Sequence, residues 1–101
     1  MKVNELSTGN FDAAIKFGNT VVCFFDPRAG ADLSMDNVIA EAATEDSAAA
    51  YYKVNAFRYP ALASRYGIDS LPCTLYFSGG RLMRRSTGVI GKEELVSNVI
   101  R

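Results

Sequence analysis

The sequence contains no histidine. Histidine is the commonest general base and metal ligand near neutral pH, so its absence removes hydrolase triads and zinc sites from consideration. Cysteine is nearly as scarce. Cys23 and Cys73 are the two thiols, they lie far apart, and without a secretion signal they are expected to stay reduced rather than pair. Net charge is missing as well: 11 basic and 11 acidic residues cancel, which leaves no global field to attract nucleic acid or anionic membrane. Neither partner is expected. No apolar run approaches the roughly 20 residues of a bilayer-spanning helix. The start, Met1-Lys2-Val3-Asn4-Glu5-Leu6, lacks the apolar segment of a signal peptide, so a cytoplasmic protein is expected. No metal site and no cofactor are expected, and there is no internal repeat, low-complexity segment or linker.

What is present is a chain of 101 residues that is 49% hydrophobic, enough for one core and too short for two, so residues 1–101 are read as a single domain. Val3 to Leu6 suits an edge strand. Ser7 and Thr8 offer a cap for a short helix from Phe11 that stops at Gly18-Asn19. Thr20 to Phe25 is apolar and β-branched or aromatic at nearly every position, the pattern of a central strand covered on both faces.

A loop with Pro27 and Gly30 follows. From about Ala31 to about Thr44 a helix carries Leu33, Met35, Val38, Ile39, Ala42 and Ala43 inward and Asp36, Glu41 and Glu45 outward. Asp46 to Ala49 connects to an inner strand, Tyr51 to Ala56, and Pro60 opens a helix that Gly67 closes. Pro72 precedes a strand, Cys73 to Phe77. Gly79-Gly80 then signals a hairpin to Arg81–Thr87, and Gly91 to Ile100 reads as an amphipathic helix burying Leu95, Val96, Val99 and Ile100. Strands alternating with helices and ending in a hairpin predict an α/β fold, a mixed sheet of four to five strands with helices on both faces.

In this order and spacing the segments resemble the thioredoxin family along nearly the whole chain. Asn10-Phe11-Asp12 resembles the family's first helix and Val21 to Asp26 its central strand. Lys53-Val54-Asn55 matches the next inner strand, and Pro60 through Arg65-Tyr66-Gly67-Ile68 matches a further segment. Ser70-Leu71-Pro72 falls at the family's cis-proline turn. Phe77-Ser78-Gly79-Gly80 matches its hairpin, and Gly88 falls at its groove glycine. The resemblance implies a thioredoxin fold, but the active loop departs from it. Where the family has Ala-Pro-Trp-Cys-Gly-Pro-Cys, this chain has Asp26-Pro27-Arg28-Ala29-Gly30-Ala31-Asp32. Both thiols are replaced, by Ala29 and Asp32, and the family's buried proton-accepting aspartate aligns with Cys23. Dithiol exchange needs an attacking thiolate and a resolving thiol.

The resemblance also implies that the client groove survives. Arg28, Ala29, Gly30, Ala31, Asp32, Leu71, Pro72 and Gly88 would form it, with the backbone before Pro72 pairing with an extended peptide. Strand addition of that kind requires no thiol. The expected function is a redox-inactive protein- or peptide-binding or chaperone-like module, its partner a protein or peptide client. The alternative is a single-cysteine thiol-disulfide oxidoreductase of cell redox homeostasis using Cys73, set against the reading of Cys73 as a buried strand residue. Asp32 suits the first helical turn electrostatically, and a sharper expectation pairs it with Lys53. Arg81, Arg84 and Arg85 are read as solvated edge charges, with Arg84 and Arg85 on opposite faces of their strand. The tyrosines are read as packing rather than as a nucleic-acid stacking platform.

Overall fold

A computed structural model describes residues 3–100, apart from the side chains of residues 31–33. Expectations resting on Met1, Lys2, or the side chains of Ala31, Asp32 and Leu33 lie outside the described residues. The elements run β1 (Asn4–Leu6), α1 (Phe11–Ile15), β2 (Asn19–Phe25), α2 (Gly30–Glu45), β3 (Ala49–Asn55), α3 (Pro60–Arg65), β4 (Cys73–Ser78), β5 (Arg81–Thr87) and α4 (Lys92–Ser97). The sheet has five strands in the order β1-β3-β2-β4-β5. β1, β3 and β2 are parallel, and β4 and β5 are antiparallel to their neighbours.

β2 is central because its side chains are apolar on both faces. Val22 and Phe24 join Phe11 and Ile15 of α1, Leu62 of α3, and Leu75 and Phe77 of β4 in one core. Val21 and Cys23 join Met35, Ile39 and Ala42 of α2, Tyr76 of β4 and Leu95 of α4 in the other. The period-2 alternation of a strand sorts the residues into these two layers. Phe11 anchors the first, its ring centroid 6.2 Å from Phe24, 5.6 Å from Tyr66 and 6.0 Å from Phe77. α1 is too short to be stable alone, so this side chain fixes it to the sheet.

Several details differ from expectation. Asn10, rather than Ser7 or Thr8, occupies the N-cap of α1. Its amide oxygen turns back to accept the Ser7 N–H at 2.7 Å, while the Ser7 carbonyl accepts the Phe11 N–H at 3.1 Å. α1 itself ends at Ile15, short of Gly18. α4 ends at Ser97 rather than running to Ile100. Asn98 is drawn sideways, its side-chain amide donating to Ser86 Oγ at 3.1 Å. Gly79 and Gly80 both have positive φ, 57° and 85°, which the two-residue turn between β4 and β5 requires. Beyond the turn, Tyr76 pairs with Arg84 and Phe77 with Leu82, so Met83 is the extra residue of a bulge.

Two of the three arginines of β5, Arg84 and Arg85, are not merely solvated. Arg85 faces the α3 side and donates to the carbonyls of Tyr66 and Gly67 at the end of that helix. Arg84 faces the α4 side and donates to the Asn98 carbonyl at 3.4 Å. Adjacent residues on opposite faces thus place a cation at the negative C-terminal end of a helix in each layer.

Thr74 and Thr20 are buried with hydroxyls that have no hydrogen-bond partner among the described residues. An unsatisfied buried hydroxyl is destabilising relative to an apolar isostere. Thr74→Val is expected to raise stability by about 1 kcal/mol in urea unfolding. Phe11→Ala is expected to lower it by about 3 to 5 kcal/mol, with loss of α1 contacts visible as faster amide exchange in residues 11–15.

Candidate functional site

Strand register brings four segments to one end of the sheet. Phe25 pairs with Asn55, so the loop after β2 and the turn after β3 emerge side by side. Phe24 pairs with Cys73, which sets Leu71-Pro72 beside the same loop. Cys73 pairs with Thr87, and the Gly88 N–H donates to the Pro72 carbonyl at 2.8 Å. In a sheet of this kind the crevice beyond the carboxyl ends of the parallel strands is where ligands bind.

In the first segment Asp26, Pro27, Arg28 and Ala29 form a turn, with the Ala29 N–H donating to the Asp26 carbonyl at 3.0 Å. Ala29 is the N-cap of α2, in extended conformation, without a side-chain capping bond. Arg28 is held rather than free. Its Nε donates to Asp26 Oδ1 at 2.9 Å and its Nη2 to Asp26 Oδ2 at 2.8 Å, while its backbone N–H also reaches Oδ1 at 2.9 Å. Hydrogen bonds from the Arg28 side chain first, and its backbone N–H second, hold the Asp26 carboxyl at about 2. The guanidinium carbon lies 4.0 Å from the Phe57 ring centroid, stacking distance for a cation over an aromatic face.

Phe57 itself is presented by the turn after β3, where the Asn55 side chain accepts the backbone N–H groups of Phe57 at 3.0 Å and Arg58 at 3.1 Å. The Leu71–Pro72 peptide is cis. Leu71 is exposed, and among the described residues no hydrogen bond engages either of its backbone groups. Gly88 has a φ of 93°, and a Cβ built on it would meet nothing within 4 Å. The segment then crosses toward α2, with the Ile90 N–H 3.5 Å from Met35 Sδ.

Of the residues singled out from the sequence, Arg28, Ala29, Gly30, Leu71, Pro72 and Gly88 therefore lie at one sheet end. The side chains of Ala31 and Asp32 are not described. Asp36, expected to face outward, instead carries the carboxylate that Lys53 finds, Nζ to Oδ1 at 3.1 Å. It lies one turn further along α2 than Asp32, the partner expected for Lys53. Lys53 points there because it pairs in register with Cys23, on the α2 face of the sheet.

Cys73 is a buried strand residue. It lies in the core that contains Phe24 and Leu62, on the face opposite α2, whereas Cys23 lies in the core that contains Met35. Both are buried, and the two are not joined in a disulfide. Burial pushes the Cys73 thiol up, outweighing the nearby charge of Arg85 and a hydrogen bond with Thr87. Among the described residues no group of side chains is suited to a metal ion, and no helix is long and apolar enough to cross a membrane.

Sequence reasoning missed Phe57, Asp26 and Val89 as members of this sheet end. A signal was present for Phe57: a large aromatic two residues after Asn55, a residue type that stabilises turns through its side chain.

A family model described as Thioredoxin matches residues 2–101. A thioredoxin of Chlamydia caviae is 30% identical over 94 residues, covering 93% of this chain and 92% of that protein. A thioredoxin of Pyropia yezoensis is 28% identical over 102 aligned positions, 98% of this chain and 95% of that one. Among solved structures, a mutant thioredoxin from Halobacterium salinarum superposes with a TM-score of 0.87 at 20% identity, covering 97% of this chain and 87% of that chain. By sequence match and by the arrangement of its sheet and helices, the chain belongs to the thioredoxin family.

Proposed function

We propose that this member of the family binds extended protein or peptide segments and does not carry out dithiol-disulfide exchange. The observation that carries the reading is the Leu71 backbone. Its N–H and C=O have no hydrogen-bond partner among the described residues, beside a Gly88 whose Cβ position is open. An extended segment laid against Leu71 gains main-chain hydrogen bonds, and the missing Gly88 side chain lets it approach closely. Arg28, Ala29 and Gly30 border the same groove, with Ala31 and Asp32 continuing it in sequence. A chaperone-like role in the cytoplasm is the setting that goes with this reading.

The absence of exchange follows from chemistry. Ala29 and Asp32 stand where the two thiols of the family would be, and neither side chain can attack or be resolved as a disulfide. The relatives named thioredoxin keep alive the alternative of a monothiol oxidoreductase using Cys73. Against it stand the burial of that thiol and its raised pKa, because the thiolate is the reactive species.

Two measurements test the reading. In the insulin-reduction assay with dithiothreitol, the protein is expected to give no acceleration over dithiothreitol alone, and turnover matching a dithiol thioredoxin would overturn the proposal. With iodoacetamide at neutral pH, Cys73 is expected to react far more slowly than a free thiol of ordinary pKa. Rapid labelling of the folded protein, abolished in Cys73→Ser, would favour the monothiol alternative.

A further inference from the structure

Within the groove just proposed, the Arg28 side chain is chemically unusual. Two of its donor positions are taken by Asp26, one face of its plane lies on the Phe57 ring, and its side chain is still 65% exposed. The pairing with Asp26 cancels the charge locally, so what faces outward is a flat, fixed surface rather than a bare cation. Phe57, in contact with it, is 60% exposed, and Leu71 and Val89, in the other segments at this sheet end, are 37% and 51% exposed. Phe57 follows β3 and Leu71 precedes β4, and β2 lies between those strands. The two segments thus leave the sheet about two strand spacings, or ~10 Å, apart. That is the reach of one or two side chains on an extended segment.

We infer that the Arg28–Phe57 stack, clamped by Asp26, is the specificity element of the groove, and that it receives an uncharged aromatic or large aliphatic side chain of an extended client segment paired with Leu71. This inference rests on the groove reading. Charge decides the partner's chemistry. A guanidinium already neutralised by a bidentate carboxylate offers little to a second carboxylate, which would face Asp26. A lysine would approach the guanidinium itself. An apolar side chain meets neither penalty, and it buries the exposed ring and the surface beside Leu71. Anchoring by a rigid aromatic next to arginine is also a common energetic focus of interfaces.

The test uses the full chain, isotopically labelled for amide NMR, and blocked extended peptides that differ only in a central Phe, Leu, Asp or Lys. The Phe and Leu peptides are expected to shift the amides of Leu71 and Gly88, with affinity unchanged between about 0.05 and 0.5 M NaCl. The Asp and Lys peptides are expected to bind about tenfold more weakly. Phe57→Ala, at an exposed site, is expected to keep the dispersed spectrum and weaken the Phe peptide about tenfold. Asp26→Asn unclamps the arginine and is expected to raise affinity for the Asp peptide. If Phe57→Ala binds the Phe peptide as tightly as the parent while Leu71 and Gly88 still shift, the stack is not the specificity element, although the groove reading stands. Equal binding of the Asp and Phe peptides by the parent also overturns the inference. If none of the peptides shifts Leu71 or Gly88, the groove reading fails and this inference falls with it.

Discussion

The double burial of β2 is the constraint on which the rest of the molecule depends. Val21, Val22, Cys23, Phe24 and Phe25 are all buried, and a strand apolar on both faces is stable only with a layer on each. That requirement places α1 and α3 on one side and α2 and α4 on the other. The same strand must leave the sheet at Phe25, since Asp26-Pro27 ends its apolar run, and α2 must begin close by to return over its face. The loop between them is therefore held at the sheet end by the packing of the strand itself.

On the proposed reading, that separation of scaffold from loop chemistry would let a family member do without a dithiol and keep its fold. The core of β2, β3 and β4 positions the Leu71-Pro72 turn through backbone register, and the Gly88 N–H locks to the Pro72 carbonyl without any side chain. Cys23, on the buried face toward α2, packs as a small hydrophobe among Val21, Met35 and Ile39. Lys53 on the neighbouring strand still needs an anion, because a partly buried ammonium is costly without one. It finds Asp36 on α2.

Much of this was legible in the sequence because it rests on local pattern. The apolar run Thr20–Phe25, the Gly79-Gly80 turn and Pro60 at a helix start each announce an element by its own stereochemistry, and the order of segments carried the family. Pairings between distant residues were not legible. Nothing in the spacing of Asp36 and Lys53 distinguishes that pair from Asp32 and Lys53, since both aspartates lie a helical turn apart on α2. The capping of α3 and α4 by Arg85 and Arg84 needs the register of β5, which only the packed sheet defines. α4 ends before the amphipathic pattern does because Asn98 leaves the helix for Ser86, a contact across elements that periodicity does not register. At the candidate site, the replaced thiols were plain in the sequence, but Phe57 was not. Its place there comes from Arg28 lying over it, and the two are brought together by the pairing of Phe25 with Asn55.

The central claim is that the scaffold of a dithiol site is retained while its chemistry has been removed. It is tested most directly by restoring the thiols at their positions, with Ala29→Cys and Asp32→Cys in one chain, and assaying insulin reduction beside the parent. A thiol at the start of α2 is favoured as thiolate by the helix N-terminus. The double variant is therefore expected to turn over while the parent stays inert. A folded double variant with no activity, or a parent as active as the variant, would contradict the account.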